Sequence, residues 1–209
     1  FADDLKLYTS YGLTDCSCDL TEALNRVSVW AKTWQLTINS TKCNVLRIVN
    51  PRCINKSDIV YDLNGSNLKV LSVVKDLGVA VDKNLRFDNH ISSVVHKSLQ
   101  RANLILKCFQ SRDRSLLMKA FKVYVRPLLE YATPVWSPHF MYLILKIEHV
   151  QRSFTKRLFG LKNLTYIDSL KQLEIDTLKH RRFIYDLCTC FKIIHGYNTL
   201  LYVFIYEKN

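Results

Sequence analysis

The sequence predicts an α+β fold, with short antiparallel strands and one long helix first and an all-helical part after them. Residues 58–81 alternate between apolar and polar side chains and contain Asn64–Gly65, a dipeptide that favours a tight hairpin turn. Beyond Asp88, apolar residues recur at helical spacing. The 209 residues are 48% hydrophobic and contain only 5 glycines and 4 prolines, which indicates a packed core rather than disorder.

The first elements follow from local patterns. FADDLKLYTS is predicted as a strand, with Leu5 and Leu7 on one face. Asp19 is expected to cap a helix that begins near Leu20. That helix carries an apolar stripe of Leu20, Leu24, Val27, Ala31 and Trp34. The segment LTINSTKCNVLRIV is predicted as two strands around a polar turn, and VKDLGVAV as a strand with Gly78 inside it.

Four helices are predicted after Asp88. The apolar face of the first comprises Ile91, Val94, Val95, Ala102, Leu106 and Phe109. The second carries Leu116, Leu117, Ala120, Phe121 and Tyr124, and Pro127 ends or kinks it. The third covers about residues 142–158. The fourth runs from Leu178 to Gly196, a residue suited to the C′ position.

The formal net charge of +12 is unevenly distributed. The first fifty residues hold five basic and five acidic side chains, so the later part carries the whole excess. Such a balance favours a polyanionic partner and indicates nucleic-acid contact. Solvated helix faces explain the same charges equally well, and both interpretations stay open.

The cysteine pattern gives little support to a zinc site, because the seven cysteines show no CxxC…CxxC spacing. Reduced, mostly buried cysteines of an intracellular protein, nuclear or cytoplasmic, are predicted instead. The sequence has neither a signal-peptide pattern nor an apolar run long enough to span a bilayer.

The adjacent acids Asp3 and Asp4 are candidate metal ligands. Two carboxylates in an apolar stretch repel each other and resist burial unless they face water or hold a cation. Mg²⁺ prefers hard oxygen ligands, and two-metal phosphoryl transfer uses carboxylates, usually with a further one from another strand. Taken alone, the pair is more typical of a solvated surface.

An ordered series of motifs changes that interpretation. FADDLKLY is followed by WAKTWQLTIN, a lysine three residues later, and VKDLGV. YVRPLLEYATPVWSP (residues 124–138), IEHVQRSFTKRLFGL (147–161) and HRRFIYDLCTCFKIIHG (180–196) come next. The series covers nearly the whole chain and closely resembles the reverse transcriptases of non-LTR retrotransposons, particularly the jockey-like group.

The resemblance implies roles for residues of the first part. Asp3 and Asp4 match the catalytic, metal-binding acid pair of the polymerase palm, and Asp3 is the more direct ligand. Lys42 matches a lysine near the phosphates of the incoming nucleotide, where it could neutralise charge or protonate the leaving pyrophosphate. Leu77 and Gly78 match the hairpin that grips the primer end. An ordinary turn lysine and a strand bulge remain the alternatives for Lys42 and Gly78.

The later helices would form a thumb and an extension that contact nucleic acid through phosphates. The basic candidates for these contacts are Arg101, Arg126, Arg152, Lys156 and Arg157. The expected domains are a partial palm over 1–87, thumb-like helices over 88–138 and a basic helical extension over 139–209. Trp30, Trp34 and Trp136 are predicted to be core anchors rather than base-stacking platforms.

The resemblance therefore implies an RNA-directed DNA polymerase that uses Mg²⁺, deoxynucleoside triphosphates, an RNA template and a DNA primer, with no membrane partner. Complete enzymes of this family have fingers and a first palm half before the FADD motif, and these supply a third metal-binding aspartate. We expect a fragment truncated at FADD and inactive alone, so enzymatic activity stays open. The alternatives are a non-catalytic, basic, nucleic-acid-binding helical module and a pseudogene remnant.

Overall fold

The computed structural model describes residues 5–9, 18–48 and 59–197, without the side chains of Cys18 and Asp19. It divides into two compact units. One, which we call the mixed unit, runs up to Lys75 and includes Val81–Leu85. The other, the helical unit, comprises Asp76–Ala80 and the chain from Arg86 onward. The α+β class predicted from the sequence is confirmed.

The mixed unit contains one long helix and short strands. Helix α1 spans Cys18–Thr33, and a 3₁₀ turn spans Ser40–Lys42. Among the residues described, this unit also has strands β1 (Asn44–Leu46), β2 (Asp62–Leu63), β3 (Ser66–Asn67) and β4 (Lys69–Leu71). Strands β2 and β3 pair antiparallel around Asn64–Gly65, as predicted, whereas β1 and β4 pair in parallel. The antiparallel expectation is thus wrong for β1 and β4.

Three expectations for the start of the chain need correction. Leu5–Thr9 form no strand, and Leu5 is 66% exposed. Helix α1 begins at Cys18, so Asp19 lies inside the first turn instead of capping it. Trp34 follows the last helical residue and points to solvent, so the apolar stripe ends at the buried Ala31.

A hairpin of two strands, β5 (Val73–Asp76) and β6 (Val79–Asp82), follows. Gly78 lies in the turn of this hairpin and not inside a strand, which corrects the predicted single strand. The connection has only two residues, Leu77 and Gly78, with φ values of 42° and 89°. Two consecutive positive φ angles are what a tight hairpin turn requires, because they match the twist of the flanking strands.

The described residues of the helical unit form seven helices. They are α2 (Asp88–Cys108), α3 (Arg114–Tyr124), α4 (Arg126–Glu130), α5 (Thr133–Trp136), α6 (Met141–Thr155), α7 (Tyr166–Leu173) and α8 (Leu178–Ile194). Asp113, Thr165 and Thr177 cap α3, α7 and α8 with side-chain oxygens that accept backbone N–H bonds. Helices α2 and α6 pack together in the core, where Phe121 and Phe154 lie with ring centroids 4.7 Å apart.

The four predicted helices correspond to α2, α3, α6 and α8. Helix α3 ends at Tyr124, shortly before Pro127, which lies in the first turn of α4, where its missing N–H is tolerated. Gly196 occupies C′ of α8 with φ 68°, and Tyr197 N–H donates to the Lys192 carbonyl at 2.9 Å. The short helices α4, α5 and α7 were not predicted.

Only one of the three tryptophans is a core anchor. Trp136 is 1% exposed, but Trp30 and Trp34 are 54% and 67% exposed, so the prediction is wrong for those two. Trp30 lies one position away from the buried Ala31 and falls outside the apolar stripe.

The expectation of mostly buried cysteines also fails for the described thiols. Cys108, Cys188 and Cys190 are free and exposed, and Cys43 is free and half-buried. No helix among the described residues is long and apolar enough to cross a membrane.

Candidate nucleic-acid interface

The turn predicted to resemble a primer grip is held by a side chain from the linker between α4 and α5. The Tyr131 hydroxyl donates to the Leu77 carbonyl oxygen at 2.8 Å. A Cβ atom added at Gly78 would lie 3.6 Å from Cε1 of Tyr131, which is an ordinary contact. The side chain of Leu77 is 45% exposed. The turn therefore presents an apolar side chain and a bare backbone to solvent on a fixed support.

His90 holds the same hairpin at a second point. Its Nδ1 accepts the backbone N–H of Ala80 at 3.2 Å, so the ring proton lies on Nε2. Burial, and secondarily the charge of Lys97, lowers the pKa of His90 below its usual 6.5. His90 is therefore neutral at pH 7, the state in which Nδ1 can accept this bond.

Trp136 connects the two attachment points. Its Nε1–H donates to the Tyr131 carbonyl at 2.7 Å, and its ring meets that of His90 edge-on, with centroids 5.2 Å apart. Tyr131, Trp136 and His90 form what we call the hairpin anchor. Since Trp136 is 1% exposed, the anchor connects the hairpin turn directly to the core of the helical unit.

Lys42 ends the 3₁₀ turn of the mixed unit. The Asn39 side chain caps this turn by accepting the Thr41 N–H at 3.0 Å, and the Lys42 carbonyl accepts from Nδ2 of Asn44 at 3.0 Å. The backbone of Lys42 is thus fixed at both sides, while its side chain is exposed and forms no salt bridge with a described residue. Such a side chain could neutralise a phosphate, and this role stays a prediction.

The five basic candidates differ in the contacts that they already make within the protein. Arg126 pairs with Glu130 at 3.8 Å, and Arg152 lies over the ring of Tyr166. Arg101 reaches the Tyr124 carbonyl at a long 3.4 Å, and Arg157 donates to Oδ1 of Asn103 at 2.7 Å. Lys156 is exposed and forms no salt bridge with any described side chain. Their contacts with nucleic acid stay predictions.

Asp3 and Asp4, the predicted catalytic and metal ligands, lie outside the described residues. Within the described ranges, no three His, Cys, Asp or Glu side chains cluster as a metal would require. The donor chemistry of two adjacent carboxylates nevertheless suits Mg²⁺, which binds through one or two carboxylates and keeps several waters.

Comparison with known proteins bears directly on the predicted resemblance. The chain is 29% identical over 164 residues to the RNA-directed DNA polymerase from mobile element jockey of Drosophila funebris, which covers 77% of this chain. It is 28% identical over 146 residues, 66% of this chain, to a probable RNA-directed DNA polymerase from transposon BS of Drosophila melanogaster. The chain is related in sequence to jockey-type RNA-directed DNA polymerases.

The match covers only part of these relatives. The chain spans 18% of the jockey polymerase and 16% of the transposon BS polymerase. An uncharacterised protein of Caenorhabditis elegans is 32% identical over 126 residues, 59% of this chain and 64% of its own length. No protein-family model and no solved structure matches the chain.

Two of the segments that carry the jockey resemblance are joined by an ion pair. Glu130, from YVRPLLEYATPVWSP, accepts from Nε of Arg181 in HRRFIYDLCTCFKIIHG at 2.5 Å. Arg126 and the Tyr185 hydroxyl contact the same carboxylate. The hydrogen bond to the Glu130 carboxylate is the main reason that the pKa of Arg181 is raised. The pair joins α4 to α8.

The third such segment supplies a buried carboxylate. Glu148 on α6 accepts the backbone N–H groups of Leu178 and Lys179 at 3.1 Å each, at the start of α8. Tyr166 also donates to Glu148, and burial followed by this bond raises the pKa of Tyr166. Glu148 thus caps α8 from another helix. Its negative charge also interacts favourably with the positive end of the α8 dipole.

Sequence reasoning missed Tyr131 and His90 as partners of the predicted primer-grip turn. Tyr131 lies 54 residues from Leu77, and nothing in their spacing indicates contact. A sequence signal was available only for Tyr131, because it belongs to YATPVW within a jockey-like segment.

Proposed function

We propose that the chain is a segment of the RNA-directed DNA polymerase of a non-LTR mobile element, comprising part of a palm and a following thumb-like region. The similarity to jockey-type polymerases over two thirds to three quarters of the chain carries this proposal. The order of the motifs supports it, because FADD, the Lys42 segment and the Leu77–Gly78 turn follow one another as in a polymerase palm.

The Leu77–Gly78 turn would hold the primer end. It is fixed by the hairpin anchor, and Gly78 carries no side chain that would keep a nucleic-acid backbone away. Lys42 would lie near the phosphates of the incoming deoxynucleotide, and its flexible ammonium would neutralise charge there.

Asp3 and Asp4 would hold Mg²⁺, with Asp3 as the more direct ligand. The ion would stabilise the attacking and leaving oxygens of phosphoryl transfer. The two carboxylates would in turn need a further acidic group from a neighbouring segment of the polymerase. Polymerase activity would thus depend on that acidic group as well as on Asp3 and Asp4.

A chimera tests the proposal. This chain replaces the corresponding segment of the Drosophila funebris jockey polymerase, and primer extension is measured on an RNA template with a DNA primer. We expect extension that requires Mg²⁺ and is lost in Asp3→Asn. Lys42→Gln should lower the rate more than Lys32→Gln, a control lysine on α1. A folded chimera without extension, beside an active parent enzyme, would contradict the proposal.

A second candidate function is a non-catalytic module that binds nucleic acid through the helical unit. The exposed basic side chains of residues 152–162 favour it, because the sequence contains no acid between residues 149 and 167. It predicts salt-dependent binding by the isolated chain that is unchanged by Asp3→Asn and Asp4→Asn. Binding insensitive to salt would count against it.

A further inference from the structure

An exposed aromatic ring stands among basic side chains immediately after α6. Phe159 is 78% exposed, whereas its neighbours Leu158 and Leu161 are 2% and 0% exposed. The two buried leucines fix the turn from inside, and backbone bonds from Leu158 to Thr155 and from Leu161 to Leu158 close it. The phenyl ring therefore points outward from a turn that is fixed by buried neighbours and backbone hydrogen bonds.

Positive charges surround this ring. Lys156, Arg157 and Lys162 line the same surface depression as Phe159, which has a volume of 520 Å³. The Arg157 guanidinium is held in place by Oδ1 of Asn103 at 2.7 Å and by the Ser153 carbonyl at 3.2 Å. Neither lysine forms a salt bridge with a described carboxylate, so both ammonium groups are available to an anion.

The backbone of Gly160, which also lines the depression, has open space beside it. Gly160 has φ 76°, and a Cβ atom added there would have no atom within 4 Å. A flat group could thus approach the ring without meeting a side chain at this position. Lys156, Arg157, Phe159 and Lys162 are called the Phe159 cluster below.

We infer that the Phe159 cluster is a binding site for single-stranded nucleic acid, in which a base stacks on Phe159 and the flanking phosphates contact Lys156 and Lys162. An aromatic face beside cations suits an unpaired base, because every base has a π-face and every linkage a negative charge. A duplex is a poorer fit, since its bases are already stacked. The inference rests on the proposed function. It adds that this surface binds an unpaired strand of nucleic acid, which in a polymerase is the template or a displaced strand.

Binding of the full chain to fluorescent oligothymidylate tests the site, with a probe of about 20 nucleotides, longer than the roughly 4–16 that one groove covers. We expect Phe159→Ala to weaken binding roughly tenfold and Phe159→Tyr to restore it. Phe191→Ala is the matched control, because Phe191 is 55% exposed on α8 and outside the cluster. It should leave the affinity unchanged.

The salt dependence of binding and an abasic oligonucleotide distinguish the contribution of base stacking from that of the phosphate contacts. Phe159→Ala should leave the slope of log affinity against log salt unchanged, whereas Lys156→Gln and Lys162→Gln should each reduce it by about 0.7. On an abasic oligonucleotide of equal length, the wild type and Phe159→Ala should bind alike. Equal affinity of both proteins for oligothymidylate would overturn the stacking site, as would an equal loss on the abasic probe.

Vesicles and an RNA–DNA hybrid separate this site from a membrane surface and from a duplex-binding surface. If Phe159→Ala weakens binding to phosphatidylserine vesicles as much as to oligothymidylate, the cluster is a membrane surface and the inference fails. If the wild type binds an RNA–DNA hybrid but Phe159→Ala changes nothing on any probe, the inference fails and the proposed function stands. If the wild type binds no nucleic acid at all, the inference fails, and the chimera alone decides the proposed function.

Discussion

The Tyr131 hydroxyl and the Leu77 carbonyl are joined by a 2.8 Å hydrogen bond across 54 residues of chain. The bond fastens a turn with two left-handed residues to the linker between α4 and α5. Leu77 carries a Cβ atom and has φ 42°, a left-handed conformation that costs free energy in any residue other than glycine. The strain at Leu77 is thus balanced by a contact outside the hairpin.

Removing the Tyr131 hydroxyl should loosen this turn. We expect Tyr131→Phe to lower the free energy of unfolding by about 1 kcal/mol, because it leaves the Leu77 carbonyl without this donor. Amide hydrogen exchange at Gly78 and Val79 should accelerate. Urea unfolding and exchange measure the two effects. Tyr124→Phe is the control, since Tyr124 is similarly exposed, at 55%, and should change neither quantity.

Substituting Gly78 should lower the free energy of unfolding only through backbone strain. At φ 89°, alanine is strained, and we expect a loss of about 1 kcal/mol for Gly78→Ala. Gly78→Asn should cost less, because asparagine tolerates the left-handed region better. The contact with Tyr131 at 3.6 Å should add nothing, so Gly65→Ala, at φ 78° with open space around it, should cost about the same. Thermal unfolding compares the three variants.

The pKa of His90 predicts that stability falls on acidification. Burial lowers this pKa in the folded state, so the unfolded chain binds more protons below about pH 6.5. The free energy of unfolding should be constant from about pH 8 to about 7 and decrease as the pH drops through about 6. Protonation of Nδ1 would also break the bond to Ala80.

His90→Asn should be less stable at pH 7 but less sensitive to pH. His96→Asn, on an exposed position of the same helix, should retain the wild-type slope. Urea titrations at several pH values measure this. A His90→Asn protein with the full wild-type slope would mean that another group is responsible.

Loss of the Glu130 carboxylate should destabilise the helical unit. Its side chain is 12% exposed and that of Arg181 26%, so Glu130→Gln leaves a half-buried guanidinium without its charged partner. We expect a loss of about 2 kcal/mol. Glu22→Gln removes the exposed pair with Arg26, where both side chains are more than 60% exposed, and should change stability by less than about 0.5 kcal/mol. Chemical denaturation of both variants provides the comparison.

Local patterns predicted those elements whose cause is local. The Asn64–Gly65 hairpin, the break at Pro127 and the glycine at C′ of α8 were all foreseen, because each depends on backbone preferences of a few neighbouring residues. Helices α2 and α3 followed from one apolar stripe each. The helices α4, α5 and α7 are too short to show a full helical period, and proline lies at the start of the first two.

Contacts between distant segments could not be predicted. Trp30 and Trp34 are predicted to be core anchors, but Trp30 lies outside the buried stripe of α1 and Trp34 follows the end of that helix. The hairpin anchor joins residues from α2, α5 and the linker before α5 through polar groups whose spacing has no period. The resemblance placed Leu77, Gly78 and Lys42 in order along the chain, while only the structure identified what supports the turn.

The hairpin of β5 and β6 makes the chain pass from one unit to the other after Lys75, after Ala80 and again after Leu85. No single cut in the sequence therefore yields both units whole. A recombinant fragment that began at Arg86 would contain Tyr131 and His90 but neither Leu77 nor Ala80. For expression of the helical unit, the start should be placed before Val73, so that the fragment retains the complete hairpin.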